Sequence, residues 1–235
     1  MLVIIKRGGI LFLAILVIVT FLVFSLYTPK TQETSSAPGG AVIVIDPGHG
    51  SPDGGAQGTR TGALEKDLNL AISQKVREKL QSEGHATVLT REDDKGLYTE
   101  ETASVREKKR EDMKKRVSIA NAPDTVMLVS IHMNHFGDPK YSGPQVFYQT
   151  GSEQGQRLAE AIRLSFLDTI GPHCTREIKP SGDLYLLRET RVPAVIVECG
   201  FLSNPDEDAL LSDEKYQEMI AEAVCNGIKK FMAAA

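Results

Sequence analysis

Residues 41–50 read AVIVIDPGHG, a β-branched run without polar alternation that stops in an acid, a proline, two glycines and a histidine. A strand with no polar face is a strand covered on both sides. Two further stretches repeat the pattern. Thr125–Ile131 (TVMLVSI) runs into His132-Met133-Asn134, and Ala194–Val197 (AVIV) runs into Glu198-Cys199-Gly200. Helical stripes separate these strands, which predicts an α/β fold: a mostly parallel twisted sheet with helices on both faces. In such sheets the ligand crevice lies outside the carboxyl ends of the strands. His49, His132 and Glu198, far apart in sequence, are therefore expected to converge on one site.

The rest of the domain fits that frame. Apolar residues at 64, 68, 71, 72, 76 and 80 form a helical stripe, closed by Gly84. Ala86–Thr90 reads as a strand and Pro144–Tyr148 as another, Gly155–Ile170 reads as a helix, and Leu184–Leu187 (LYLL) is strand or loop. Ser212 is the expected N-cap of a last helix whose stripe runs from Tyr216 to Phe231. The run Arg106–Arg116 counts seven basic residues against three acidic ones. It reads as the solvated face of a helix continuing into VSIAN, with a surface for anionic wall polymer as the alternative.

Ahead of the domain, residues 1–9 carry Lys6 and Arg7, and residues 10–27 form an uncharged apolar run at the lower end of what spans a bilayer. The positive flank predicts a short cytoplasmic N-terminus and a chain delivered outside, by a transmembrane anchor or a signal segment. Residues 28–40 (TPKTQETSSAPGG) read as a flexible linker, and 41–235 as a single catalytic domain. Hydrophobic residues make up 41% and charged residues 25%, the balance of a globular protein with a core. A net charge of −4 argues against a nucleic-acid partner. Trp is absent, so any aromatic platform for sugars has to be built from Tyr and Phe.

Several residues carry two readings. The loop GHGSPDGG permits tight turns and close backbone approach to a ligand, and it lacks the spacings of nucleotide-binding loops. Glu65, in the first helical turn, is by itself a helix-dipole carboxylate; beside two histidines it becomes a third metal ligand. An unpaired buried carboxylate is costly, so Glu198 calls for a partner. A general base acting on a water activated by a metal ion has one. His135 reads as a rim or substrate-facing residue, His85 as surface, and His173 as a loop residue with substrate contact as the alternative. Cys174, Cys199 and Cys225 show no metal spacing and read as buried free thiols, with pairing of Cys174 left open.

The stretches VIDPGHGSPDGGAQG, EKDLNL, SIHMNH and VECGFLSN resemble, in order and spacing, the signatures of the zinc-dependent N-acetylmuramoyl-L-alanine amidases of the amidase-3 type. The resemblance covers Val42 to Phe231. It implies that His49, Glu65 and His132 ligate Zn2+ and that Glu198 is the catalytic carboxylate. The implied reaction is hydrolysis of the amide joining the lactyl group of muramic acid to L-alanine of the peptidoglycan stem peptide. The GPQVFY and LSNPDE neighbourhoods and the N-terminal segment resemble, more narrowly, the spore-cortex, germination-specific amidases of endospore formers. That implies work in the intermembrane or cortex space of the developing spore, in sequence with a peptidoglycan deacetylase that forms muramic-δ-lactam, and a possible protein activator. Cys199 departs from the family pattern, in which many relatives carry Thr or Val. Another zinc wall hydrolase, a deacetylase or a carboxypeptidase, and a non-catalytic wall-binding protein are the alternatives.

Overall fold

The computed structural model describes residues 40–172 and 174–234. The N-terminal residues 1–9, the run 10–27 expected to be an anchor or signal segment, all but the last residue of the expected linker, and His173 lie outside them. Among the described residues no helix is long and apolar enough to cross a membrane.

Six strands form one sheet: β1 (Val42–Pro47), β2 (Thr87–Leu89), β3 (Thr125–Asn134), β4 (Gln145–Gln149), β5 (Lys179–Ser181) and β6 (Ala194–Phe201), in the spatial order β2-β1-β3-β6-β4-β5. The four on the β2 side are mutually parallel, whereas β4 meets β6 antiparallel and carries β5 with it. The sheet is therefore mixed. Hydrophobic periodicity reports which faces are buried and says nothing of strand direction, so this reversal was not legible in the sequence.

Alternate residues along the central strands feed two cores. Ile43, Ile45, Met127, Val129, Ile131, Val195 and Val197 pack beneath three helices, α1 (Glu65–Ser82), α3 (Glu153–Thr169) and α6 (Glu214–Ala233). Val44, Leu128 and Ile196 face the other way, toward α2 (Val105–Ala120) and the short α4 (Tyr185–Glu189). These are the two covered faces that the strand composition demanded.

The differences from expectation are local. LYLL lies at the start of α4, because Leu186 and Leu187 are both buried and an apolar run of four has no period long enough to separate helix from strand. Strand β5 and helix α5 (Pro205–Leu211) were not foreseen, and Ser212 closes α5 while Asp213 caps α6 through Tyr216 N. Most important for the site, β3 and β6 do not stop at Ile131 and Val197. They stay paired through His132↔Glu198 and Asn134↔Phe201, with an irregularity between. Both functional candidates are thus set by sheet geometry rather than by loops.

Candidate active site

The loop leaving β1 is held from beneath by two buried arginines. Arg116, on α2 and only 2% exposed, donates to Asp46 Oδ1 (2.5 Å), to the Pro47 carbonyl (2.7 Å) and to the His49 carbonyl. Arg91 donates to the Pro47 and Gly48 carbonyls at 3.0 and 2.9 Å and to that of Lys66 at 2.7 Å. Three consecutive carbonyls therefore meet cationic donors, which fixes the path of the loop. His49 itself sits at φ +60°, a conformation that disfavours non-glycine residues. Gly48 is required here, since a Cβ would fall 2.2 Å from His132 Nε2.

This path delivers His49 to its partners. His49 Nε2 and His132 Nδ1 each lie 3.0 Å from Glu65 Oε1, and the two imidazoles meet edge to face at 4.9 Å. One nitrogen from each histidine and one glutamate oxygen all stand within 4.8 Å of one another. Glu65 is 3% exposed and turned inward, its Oε2 accepting from Ala56 N at 2.8 Å and its Oε1 from Met133 N at 3.1 Å. It is more than the helix-dipole carboxylate that its position at a helix start suggests by itself. Two partly exposed imidazoles and a buried carboxylate form a donor set that can hold a metal ion.

The outer partners are ordered too. His49 Nδ1 contacts Asp53 Oδ2 at 3.1 Å, and Asp53 in turn takes Lys109 Nζ at 2.7 Å. A carboxylate on the second ring nitrogen orients a ligating imidazole and raises its basicity. Burial disfavours charge on His49, yet the hydrogen bonds to Asp53 and Glu65 carry its pKa up to about 9. Burial likewise opposes ionisation of Glu65, and the two histidines outweigh it, holding the carboxyl well below the usual range. Positive charge on His49 thus balances the ionised carboxylates, and a bound cation would take its place on the neutral imidazole.

Glu198 stands next in the row. It pairs across the sheet with His132 on one side and with Gln145 of β4 on the other. Its Oε2 is sealed from solvent and has no hydrogen-bond partner among the described residues. Burial pushes its pKa up to about 7.

Convergence of His49, His132 and Glu198 at strand ends agrees with the sequence reading. His135 is exposed beyond the end of β3 and takes no part in the cluster, and His85 lies after α1, outside it. The three cysteines are buried free thiols, as expected. Asp53, Arg91 and Arg116 were not foreseen. Asp53 was signalled only by its place four residues after His49. Arg116 was counted with a solvated basic face; its membership in the buried stripe Arg116–Ala120, four residues after Asp112, was the available sign.

A family model described as N-acetylmuramoyl-L-alanine amidase matches residues 43–230. The chain belongs to that family. The germination-specific N-acetylmuramoyl-L-alanine amidase of Bacillus subtilis is 36% identical over 192 residues, 82% of this chain and 80% of the relative. Among solved structures, the CwlD amidase of Clostridioides difficile, determined in complex with the GerS lipoprotein, is 42% identical with a TM-score of 0.80, over 83% of this chain and all of that one. An N-acetylmuramoyl-L-alanine amidase of Clostridium difficile 630 is 30% identical with a TM-score of 0.72, over 83% and 98%. The protein is an N-acetylmuramoyl-L-alanine amidase acting on peptidoglycan, and its substrate places its work outside the cytoplasm. The deacetylase, carboxypeptidase and non-catalytic readings fall away.

Proposed function

We propose that the amidase is a zinc enzyme in which His49, Glu65 and His132 hold the ion and Glu198 is the general base. The observation that carries this reading is the half-buried Glu198, whose Oε2 is sealed from solvent and unpartnered among the described residues, directly across the strand pair from His132. A structural carboxylate so placed would be a net cost, whereas one that faces a reacting water has its partner during turnover.

When bound, zinc supplies Lewis acidity toward the scissile carbonyl and lowers the pKa of water. The chain's residues do the remainder. His49 is oriented by Asp53 through its second nitrogen, and Glu65 by the Ala56 and Met133 amides, so the ligand set is held before substrate arrives. Glu198, its basicity raised toward neutrality by burial, takes the proton of the attacking water and returns it to the departing L-alanine amine. The bond broken is the lactyl amide, and the products are a free lactyl carboxylate and a peptide with a free amino terminus.

The finer assignment is to the spore. We infer from the germination-specific relative that the substrate is cortex peptidoglycan, stripped of stem peptides ahead of a deacetylase that completes muramic-δ-lactam. The CwlD relative solved with a lipoprotein supports a protein partner as activator, and residues 10–27 support delivery to the intermembrane space by an anchor or a signal.

The test is mass spectrometry of muropeptides after digestion by the zinc-loaded domain from Gly40 onward, alongside Glu198→Gln. New L-alanine amino termini, lost in the variant while zinc stays bound, support the assignment. Wild-type turnover by a zinc-loaded Glu198→Gln protein overturns it.

A further inference from the structure

One flank of the site carries an exposed aromatic surface that the proton chemistry does not use. Phe136, two residues beyond the end of β3, is 54% exposed. Its ring meets Tyr141 edge to face at 5.0 Å, and Tyr141 stacks on the buried Phe201 at 6.3 Å. Arg176 lies over the Phe201 ring at 4.9 Å and over that of Tyr141 at 5.9 Å. The guanidinium also donates to Gln145 Oε1 at 3.1 Å, and Gln145 is the cross-strand neighbour of Glu198. A chain of side-chain contacts therefore leads from the outermost ring to Gln145, the cross-strand neighbour of the general base.

The loop bearing this surface is pinned rather than loose. Phe136 N donates to Ser203 Oγ at 3.0 Å, Asn204 Nδ2 to the Pro139 carbonyl at 2.9 Å, and Gly143 N to Glu207 Oε1 at 2.8 Å. Three hydrogen bonds hold a large apolar ring where it meets water, and a rigid aromatic on a fixed support is how proteins build contact area at low entropic cost. The mixture of groups selects the ligand. A pyranose ring offers an apolar C–H face to stack on an aromatic ring and a rim of hydroxyl and acetamido oxygens for a guanidinium. With Trp absent from the chain, Phe and Tyr are the residues available for such a platform.

We propose that Phe136, Tyr141 and Arg176 form a glycan subsite that binds an N-acetylated hexosamine ring of the strand next to the muramic acid being cleaved. The subsite deepens the amidase reading: it selects muramic acid within a glycan chain over an isolated muramyl peptide.

The test compares two substrates with the zinc-loaded enzyme, a stem peptide on a glycan oligosaccharide and the same peptide on a single N-acetylmuramic acid. Phe136→Ala lowers the ratio of kcat/KM for the chain-linked over the single-sugar substrate by about tenfold, through KM, the loss expected for one stacked ring. Phe136→Trp restores the ratio, and Leu164→Ala, an exposed apolar position on α3, leaves it unchanged. An unchanged ratio in Phe136→Ala overturns the proposal, including the case in which the variant instead loses a protein partner. A second measurement does not depend on turnover: a peptide-free oligosaccharide of alternating N-acetylated hexosamines is titrated into the protein by NMR. Shifts gathered at Phe136, Tyr141 and Arg176 that vanish in Phe136→Ala support the subsite even should the zinc assignment fail. No shifts, or equal shifts in both proteins, overturn it.

Discussion

Asp46 and Glu198 are both acids at the carboxyl end of a buried strand, on the same face of the same sheet, and the fold treats them in opposite ways. Asp46 is 1% exposed and fully engaged: Arg116 and Thr90 donate to Oδ1 at 2.5 and 2.6 Å, and Ser130 to Oδ2 at 2.6 Å. Burial alone would raise its pKa, but the guanidinium and the two hydroxyls hold it below the usual carboxylate value. Glu198 has an oxygen sealed from water with no partner among the described residues, and burial drives its pKa up to about 7. A complete shell of donors keeps the Asp46 charge as a structural one, whereas the incomplete shell of Glu198 is the feature that the proposed general base would use.

The contrast breaks most decisively at the metal. Chelation of zinc removes hydrolysis of peptidoglycan altogether, and stoichiometric zinc restores it, while far-ultraviolet circular dichroism shows the sheet intact because Asp46 and Arg116 support it without the ion. Persistence of full activity in a metal-free protein would end the zinc reading. Next in size, Glu198→Gln lowers kcat by about 10³-fold with zinc content unchanged, the range for loss of a positioned general base.

Arg116→Met has its main effect on the other side of the comparison. It leaves Asp46 buried and uncompensated, and the cost is about 3–5 kcal/mol of unfolding free energy in urea titrations. Adding Asp46→Asn recovers part of that loss, since the uncharged side chain no longer requires the cation. Equal stability of single and double variants would show that the pair is not the source.

The smallest effect sharpens the contrast through pH. A folded-state pKa raised above the ordinary 4.5 means that the native protein binds a proton that the unfolded chain has lost. Stability of the metal-free protein therefore declines as pH rises from about 4.5 to 7, and Glu198→Gln removes the decline, gaining on the order of 2 kcal/mol at pH 8. Asp46 has the opposite sign. Its lowered pKa contributes stability above the ordinary 3.8, which is lost as pH falls through the folded value. A Glu198→Gln protein no more stable than wild type at pH 8 would place a partner on that carboxylate after all.

Legibility followed physical range. The alternation of apolar strands and helical stripes is local, so the α/β class, the positions of five of the six strands and the convergence of His49, His132 and Glu198 could be read along the chain. The direction of β4 and β5, the helix at LYLLRE and the full length of β3 and β6 depend on pairing partners distant in sequence, and were not readable. Glu65 lay between. Its place beside Lys66 and Asp67 in a first helical turn looks like helix-dipole chemistry, and the motif resemblance alone made it a ligand until the fold turned it onto both histidines.

What the sequence determined by itself is where charge would meet a buried strand end, because hydrophobic patterning and the cost of burying polar groups act on each segment separately. What only the tertiary structure decided is which of those charges is satisfied. Arg116 lies seventy residues from Asp46 and, inside a basic run, looks no different from its neighbours. Only the packing of α2 against β1 sends that one arginine into the core to neutralise Asp46; among the described residues no such partner reaches Glu198 Oε2. Partnership is a property of positions in space, and a chain written in one dimension does not contain it.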